Sequence, residues 1–432
     1  MEIIGFGPGN LERVAHAEIQ GQIWAHLPII LDEAGRIPPC IAIGDKRGGE
    51  QIVVDHALKE GRPDDSTVSG RPAIAAGLIV AKPVAATRGE VVLEGEHFTG
   101  AEALQRAGLA PLHLQAKEGL ALINGTHLME AMAILALADA QKLVRAAEVA
   151  CAMSIEGLMG SHVPLDARIH KRRGQYGQQM SAARLRNLVS GSEINTSHED
   201  CPRVQDPYTM RCAPQVFGAV RDALEYCATI FERELDAVTD NPLVFPEDGE
   251  VLSGGNFHGQ PLALALDILA IALAQIASFS ERRIFNLMGP HDWDEAGAPL
   301  FLTPNPGLNS GFMITQYVAA ALVNEIKVLA HPASIDSIPT SAGMEDFNSM
   351  GATSAHKVLN ILELAHQIIA IEFLCAAQML EFRKPLKPGI GVQKAFEIVR
   401  LYISKLEHDR VLAPDIANLA RALKNGAFEV LE

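Results

Sequence analysis

The chain has 432 residues, 48% of them hydrophobic, so it can bury a large core as one big domain or as two. Aromatic residues make up only 5%, which leaves Ala, Leu, Ile and Val to pack closely approaching helices. The net charge of −16 argues against a nucleic-acid partner, because such partners are met with basic surface, and solubility is the plain reading of the acidity.

From the N-terminus, MEIIGFGPGN lacks a basic stretch followed by an apolar one, so no export signal is expected and the cytoplasm is the expected compartment. Gly5-Phe6-Gly7 is a lone glycine pair without the strand–turn–helix setting of a nucleotide loop, and reads as a turn. Residues 1–98 form a smaller mixed region. Ile41–Asp55 and Ala73–Val92 hold short β-branched runs broken by Gly and Pro, which suit strands or irregular structure.

Residues 99–432 read as a helical core. Met129–Met153, Pro214–Leu235, Gln316–Ala330 and Gly351–Arg383 each carry apolar residues at helical spacing and end at turn or proline signals. Helices this apolar around their circumference call for a bundle, buried in part against other subunits. Pro261–Ser280 has about the length of a bilayer span, but it is Ala-rich, carries Asp267 and runs into Glu281-Arg282-Arg283. It reads as a helix buried on all sides, not as a membrane anchor. The six cysteines show no CxxC pair and no short Cys/His spacing, which disfavours a zinc site and a disulfide framework and fits a reducing compartment.

Val204–Gly218, VQDPYTMRCAPQVFG, interrupts this pattern. Pro207 and Pro214 forbid one uninterrupted helix, and irregular segments in a helical frame are where functional side chains are held. A phenol such as Tyr208 can act as acid or base, and the Arg211 guanidinium can grip a carboxylate through two parallel hydrogen bonds. Taken alone, the segment also suits a structural salt bridge and a capped turn.

QDPYTMRCAPQV closely resembles a signature of the aromatic amino-acid ammonia-lyases, most nearly of their histidine-specific members. Further matches follow in order: AKEGLALINGT (Ala116–Thr126), DNPLVF (Asp240–Phe245), SGGNFHGQP (Ser253–Pro261), LNSGFMITQ (Leu308–Gln316) and HPASIDSIPTSAGMEDFNSMG (His331–Gly351). They run from about Thr99 to the C-terminus. The resemblance implies a mainly α fold, a long-helix bundle of the aspartase/fumarase-like superfamily type. It also implies a homotetramer whose active sites are shared between subunits, acting on a small amino acid.

That family eliminates ammonia with an electrophile made from its own backbone, 4-methylidene-imidazol-5-one (MIO), formed by cyclisation of Ala-Ser-Gly, and it uses no external cofactor. The family stretch ASGDLAPLAH is not in this chain. The nearest candidate is Val68-Ser69-Gly70, where Arg71 stands in place of the expected Asp. The family's Tyr…Asn-Thr-Gly-Phe-Gly motif is reduced to Gly5-Phe6-Gly7, and its Ser-His-Ala at most to Ala25-His26. A truncated start and a divergent N-terminal region would both produce this.

Carried over residue by residue, the resemblance makes Tyr208 the base for the β-proton and Arg211 the carboxylate clamp. Gln205, Asn124 and Phe257 then lie near the substrate or the electrophile. Asn124 also suits a helix-end cap, Phe257 a core position, and His258 a structural role. Glu345 is the residue expected to choose the substrate: histidine-specific members carry Glu there, phenylalanine and tyrosine lyases Gln. A carboxylate can accept a hydrogen bond from imidazole but gains nothing from phenyl. Phe347-Asn348, by contrast, resembles the phenylalanine lyases. Histidine is the expected substrate, with phenylalanine or tyrosine (lyase or aminomutase) as one alternative and a non-catalytic homologue as the other.

Overall fold

The computed structural model describes residues 41–42, 90–93, 96–106, 115–200, 203–289 and 297–431. Along the chain these form strands β1 (Ile41–Ala42), β2 (Glu90–Leu93) and β3 (Glu96–Thr99), then helices α1 (Gly100–Arg106), α2 (Glu118–Ile123), α3 (His127–Gly157) and α4 (Ala167–Arg173). Helices α5 (Tyr176–Leu188), α6 (Glu193–Thr196), α7 (Tyr208–Arg211) and α8 (Ala213–Leu235) lead to a hairpin of β4 (Leu243–Phe245) and β5 (Glu250–Leu252). Five helices complete the chain: α9 (Gln260–Met288), α10 (Met313–Leu329), α11 (Gly351–Glu381), α12 (Ile390–Tyr402) and α13 (Ala413–Lys424). The fold is mainly α, and each long helix expected from the apolar spacing is present, with ends shifted by a few residues. The chain divides into two compact units. The first holds Met1–Leu135, Phe231–Ala263 and Asp336–Ala352, the second Ala136–Ile230, Leu264–Ile335 and Thr353–Glu432.

In the first unit β1, β2 and β3 form an antiparallel meander, with Glu90 opposite Thr99 and Leu93 opposite Glu96. Thr99 and Glu102 form a reciprocal capping box that starts α1: Thr99 N donates to Glu102 Oε2 at 2.9 Å, and Glu102 N to Thr99 Oγ1 at 3.3 Å. The β4–β5 hairpin turns through Gly249, whose φ of 68° suits a residue without Cβ.

The second unit is built on small residues and buried ion pairs. Helices α5 and α8 meet backbone to backbone, because a Cβ on Gly177 would lie 2.3 Å from Gly218 O and one on Gly218 2.3 Å from Gln178 N. Within the unit α3, α9 and α11 converge on Glu372. Its carboxylate accepts from Ser154 Oγ (2.7 Å), Ser280 Oγ (2.6 Å), and Arg283 Nε and Nη2 (2.5 and 2.8 Å). Both ionic partners are fully buried, and a charge so far from water is tolerated only when paired in this way.

Helices α9 and α11 are long and apolar enough to cross a membrane by length and composition, but their most apolar windows are 67% and 72% buried inside the protein. Asp267, the single charge in the apolar part of α9, is 2% exposed and accepts from Ser334 N at 2.8 Å and Lys357 Nζ at 3.1 Å. Burial pushes this carboxyl up, but the hydrogen bonds from Ser334 and Lys357 outweigh it and hold it below the usual range. Both are core helices, as the composition predicts.

Candidate functional site

In the second unit, the prolines divide Val204–Gly218 as expected. Pro207 stands at the N-cap of α7 with φ −53° and ψ 151°, and its carbonyl accepts from Met210 N and Arg211 N. After Cys212 the chain re-enters helix as α8. The turn is anchored by buried Met210 and by Asn286 Nδ2, which donates to Thr209 Oγ1 at 3.2 Å. Tyr208 is thereby thrust outward, 69% exposed, with the Arg211 guanidinium carbon 4.9 Å from its ring centroid.

Gln205, Tyr208 and Arg211, three of the sequence-predicted residues, line one cavity of about 540 Å³ together with Arg203, Asp206 and Asn286. Arg211 Nε is shielded from water and has no hydrogen-bond partner among the described residues. Leaving such a donor unmatched costs about 1–3 kcal/mol. Asp206, the cavity's only described carboxylate, does not supply the match: its Oδ1 accepts from Arg203 Nη1 and its Oδ2 from Ser161 N, both at 2.7 Å. A guanidinium held open in a concave site is fitted to an anionic group brought from outside.

In the first unit, Asn124, Phe257 and Glu345 sit on segments that bind one another. Asn124 is the C-cap of α2, donating N–H to Leu120 O at 2.8 Å, and its Nδ2 reaches Asp240 Oδ1 at 3.3 Å. Buried Asp240 also takes Lys117 Nζ at 2.6 Å, joining the AKEGLALINGT and DNPLVF motifs. Gly125 is required between them: its φ is 108°, and a Cβ there would meet Thr239 O at 2.6 Å. Asn241 Oδ1 accepts from Gly254 N at 2.7 Å, drawing in the SGGNFHGQP loop. Phe257 is 37% exposed, while His258 stacks on Phe347 and its Nε2 lies 3.0 Å from Phe347 O, the structural role expected of it.

Glu345 is exposed and accepts the Thr340 hydroxyl on Oε2 at 2.6 Å, which leaves Oε1 without a partner among the described residues. Asn348, read from sequence as a substrate marker, uses its amide to hold this loop: Nδ2 reaches Ile338 O, Thr340 Oγ1 and Glu345 O. At the start of α3, Glu130 is 8% exposed, and burial together with the charges of Glu234 and Asp236 pushes its carboxyl up to about 8.

Val68, Ser69 and Gly70 lie outside the described residues. Sequence reasoning missed Lys117, Arg203 and Asp206. Lys117 and Asp206 stand inside recognised motifs and Arg203 two residues before one, and the i, i+3 spacing of Arg203 and Asp206 was the available signal.

Residues 78–401 match the family profile described as aromatic amino acid lyase. The chain is 52% identical over 337 residues to the histidine ammonia-lyase of Anaeromyxobacter dehalogenans, covering 78% of this chain and 66% of that relative. Among solved structures, the histidine ammonia-lyase of Trypanosoma cruzi matches with a TM-score of 0.75 and 41% identity over 83% of this chain and 68% of that one. The tyrosine aminomutase of Streptomyces globisporus matches with a TM-score of 0.75 and 36% identity over 83% and 71%.

Proposed function

The chain belongs to the aromatic amino acid lyases, and from that premise we propose that it is a carbon–nitrogen lyase eliminating ammonia from L-histidine to give trans-urocanate. The observation that carries this reading is the open Arg211 guanidinium beside Tyr208 and Gln205 in one cavity. The relative at 52% identity supports histidine as the amino acid.

In this reading Arg211 holds the substrate carboxylate bidentately, a geometry that Lys cannot imitate. Tyr208, oriented by the guanidinium over its ring, removes the β-proton, and Gln205 contacts the carboxylate end. Asn124 and Phe257 border the electrophile. Glu345 accepts the imidazole N–H through its open oxygen, since Thr340 already occupies the other. The family's MIO group supplies a carbon electrophile that turns the amine into a leaving group. The residues present fit it in one respect: the unmatched Arg211 donor can fix an α-amino acid by its carboxylate while its amine stays free. Val68-Ser69-Gly70, within residues 1–98, is the proposed source, and a homotetramer with shared active sites is the proposed assembly, in the cytoplasm.

Intact mass tests the electrophile: the protein should be lighter than its sequence by about two waters, with Ser69→Ala restoring the full mass. A wild type of full mass, inactive on every aromatic amino acid, would leave only the non-catalytic homologue. Competition between histidine, phenylalanine and tyrosine tests the substrate. Histidine should be preferred, and Glu345→Gln should reduce histidine turnover most, because a hydrogen-bonding site rejects ligands that leave it unpaired. A wild-type preference for phenylalanine or tyrosine would favour the aminomutase-like reading, to which the similarity with a tyrosine aminomutase lends support.

A further inference from the structure

We infer that Arg203 is a positioning residue that keeps the site's own carboxylate, Asp206, from occupying Arg211. This rests on the reading of Arg211 as the carboxylate clamp. Asp206 and Arg211 line the same cavity, and a free carboxylate there would satisfy the unmatched guanidinium as an internal mimic of the substrate. Two contacts prevent it. Arg203 Nη1 takes Asp206 Oδ1, Ser161 N takes Oδ2, and the aspartate side chain is left 6% exposed.

Arg203 is itself fixed. Its Nη2 reaches Leu158 O and Met159 O, each at 3.2 Å, where α3 has just ended and Met159 adopts φ 51°. Asp206 is thereby tied to the end of α3, and Pro207, with its restricted φ, carries that placement into α7. The cavity wall holds two guanidinium groups and one carboxylate among its described residues. Arg203 neutralises the carboxylate, and Arg211 keeps its charge for the ligand.

The test uses the full-length protein and reads both kinetics with L-histidine and calorimetric binding of 3-(imidazol-4-yl)propionate, which keeps the carboxylate and lacks the amine. Arg203→Leu removes the ionic tether of Asp206 and leaves it held by Ser161 N alone. The KM and the Kd for the propionate should then rise roughly tenfold, while kcat at saturation changes little, since an internal competitor is displaced by enough substrate. Histamine, which has no carboxylate, should bind the variant and the wild type alike. Adding Asp206→Asn to Arg203→Leu should return KM and Kd to within about threefold of wild type. Asp206→Asn alone, which removes the one negative charge from the described cavity wall, should tighten propionate binding. An unchanged Kd in Arg203→Leu, or no recovery in the double variant, overturns the inference while leaving the lyase reading intact. Should Arg203→Leu fail to fold, propionate binding in Asp206→Asn that is unchanged or weaker overturns it. A wild type that neither binds the propionate nor turns over histidine removes the lyase reading, and this inference with it.

Discussion

Arg221 and Arg211 lie in adjacent helices of the same unit and meet opposite fates. Arg221 closes on Glu148, Nε to Oε1 at 2.9 Å and Nη2 to Oε2 at 2.6 Å. Glu148 is fully buried and also takes Ser181 Oγ at 2.7 Å and an ion pair from Arg184. Burial alone would lower the Arg221 pKa, but Glu148 outweighs it and holds the group above its ordinary value. Arg211 has an aromatic ring, an unmatched Nε, and a nearby carboxylate bonded elsewhere. Between α8 and α3 the chain completes a two-pronged polar pair of its own. Where it turns through Pro207, it leaves the Arg211 Nε open at a cavity that also holds Tyr208 and Gln205, and that combination is what distinguishes the candidate site.

The comparison can be broken at Tyr208. Tyr208→Phe should lower kcat roughly 10²–10⁴-fold, the usual worth of a positioned acid or base, with no change in melting temperature because the exposed hydroxyl supports no fold contact. Near-full turnover in this variant would mean that the base lies elsewhere. On the closed side, Glu148→Ala should destabilise the protein by about 3 kcal/mol, because it strands two partly buried guanidinium groups and leaves a cavity. A lower denaturant midpoint at unchanged slope is the check.

Arg211→Lys sharpens the contrast. It should reduce kcat/KM by about 2 kcal/mol of transition-state binding, yet leave thermal stability unchanged, since no folded-state hydrogen bond to Nε is lost. A drop in stability comparable to that of Glu148→Ala would erase the distinction between the two arginines.

Glu130, a buried carboxyl beside the charges of Glu234 and Asp236, adds a pH-dependent contrast. Its pKa is raised to about 8 from 4.5, so between those values the folded state holds a proton that the unfolded state has released. Stability should therefore fall as pH rises from about 4.5 to 8, and Glu130→Gln should flatten that slope in melting curves.

The long helices were legible because apolar spacing and terminal prolines are local signals, and the QDPYTMR run displayed Gln205, Tyr208 and Arg211 together. Sequence also showed Asp267 as the single charge in an apolar run, but not that Lys357 pairs with it, because that pairing depends on how α9 packs against α11. Asn348 shows a related limit of the one-dimensional pattern. Motif likeness assigns a residue to a substrate, whereas its amide is engaged in folding the loop that carries Glu345. Arg203 and Asp206 could be suspected from their spacing, but what they sequester became visible only with the cavity around them.

Asp267 also has a consequence for how the protein is made. Its partner Lys357 follows 90 residues later, a delay of roughly 5–20 s at ordinary translation speeds. For that interval the nascent chain presents the apolar part of α9 with its one carboxylate lacking an ionic partner. Yield in a foreign host should therefore depend on chaperone supply during synthesis of α9 to α11 more than on the stability of the finished fold.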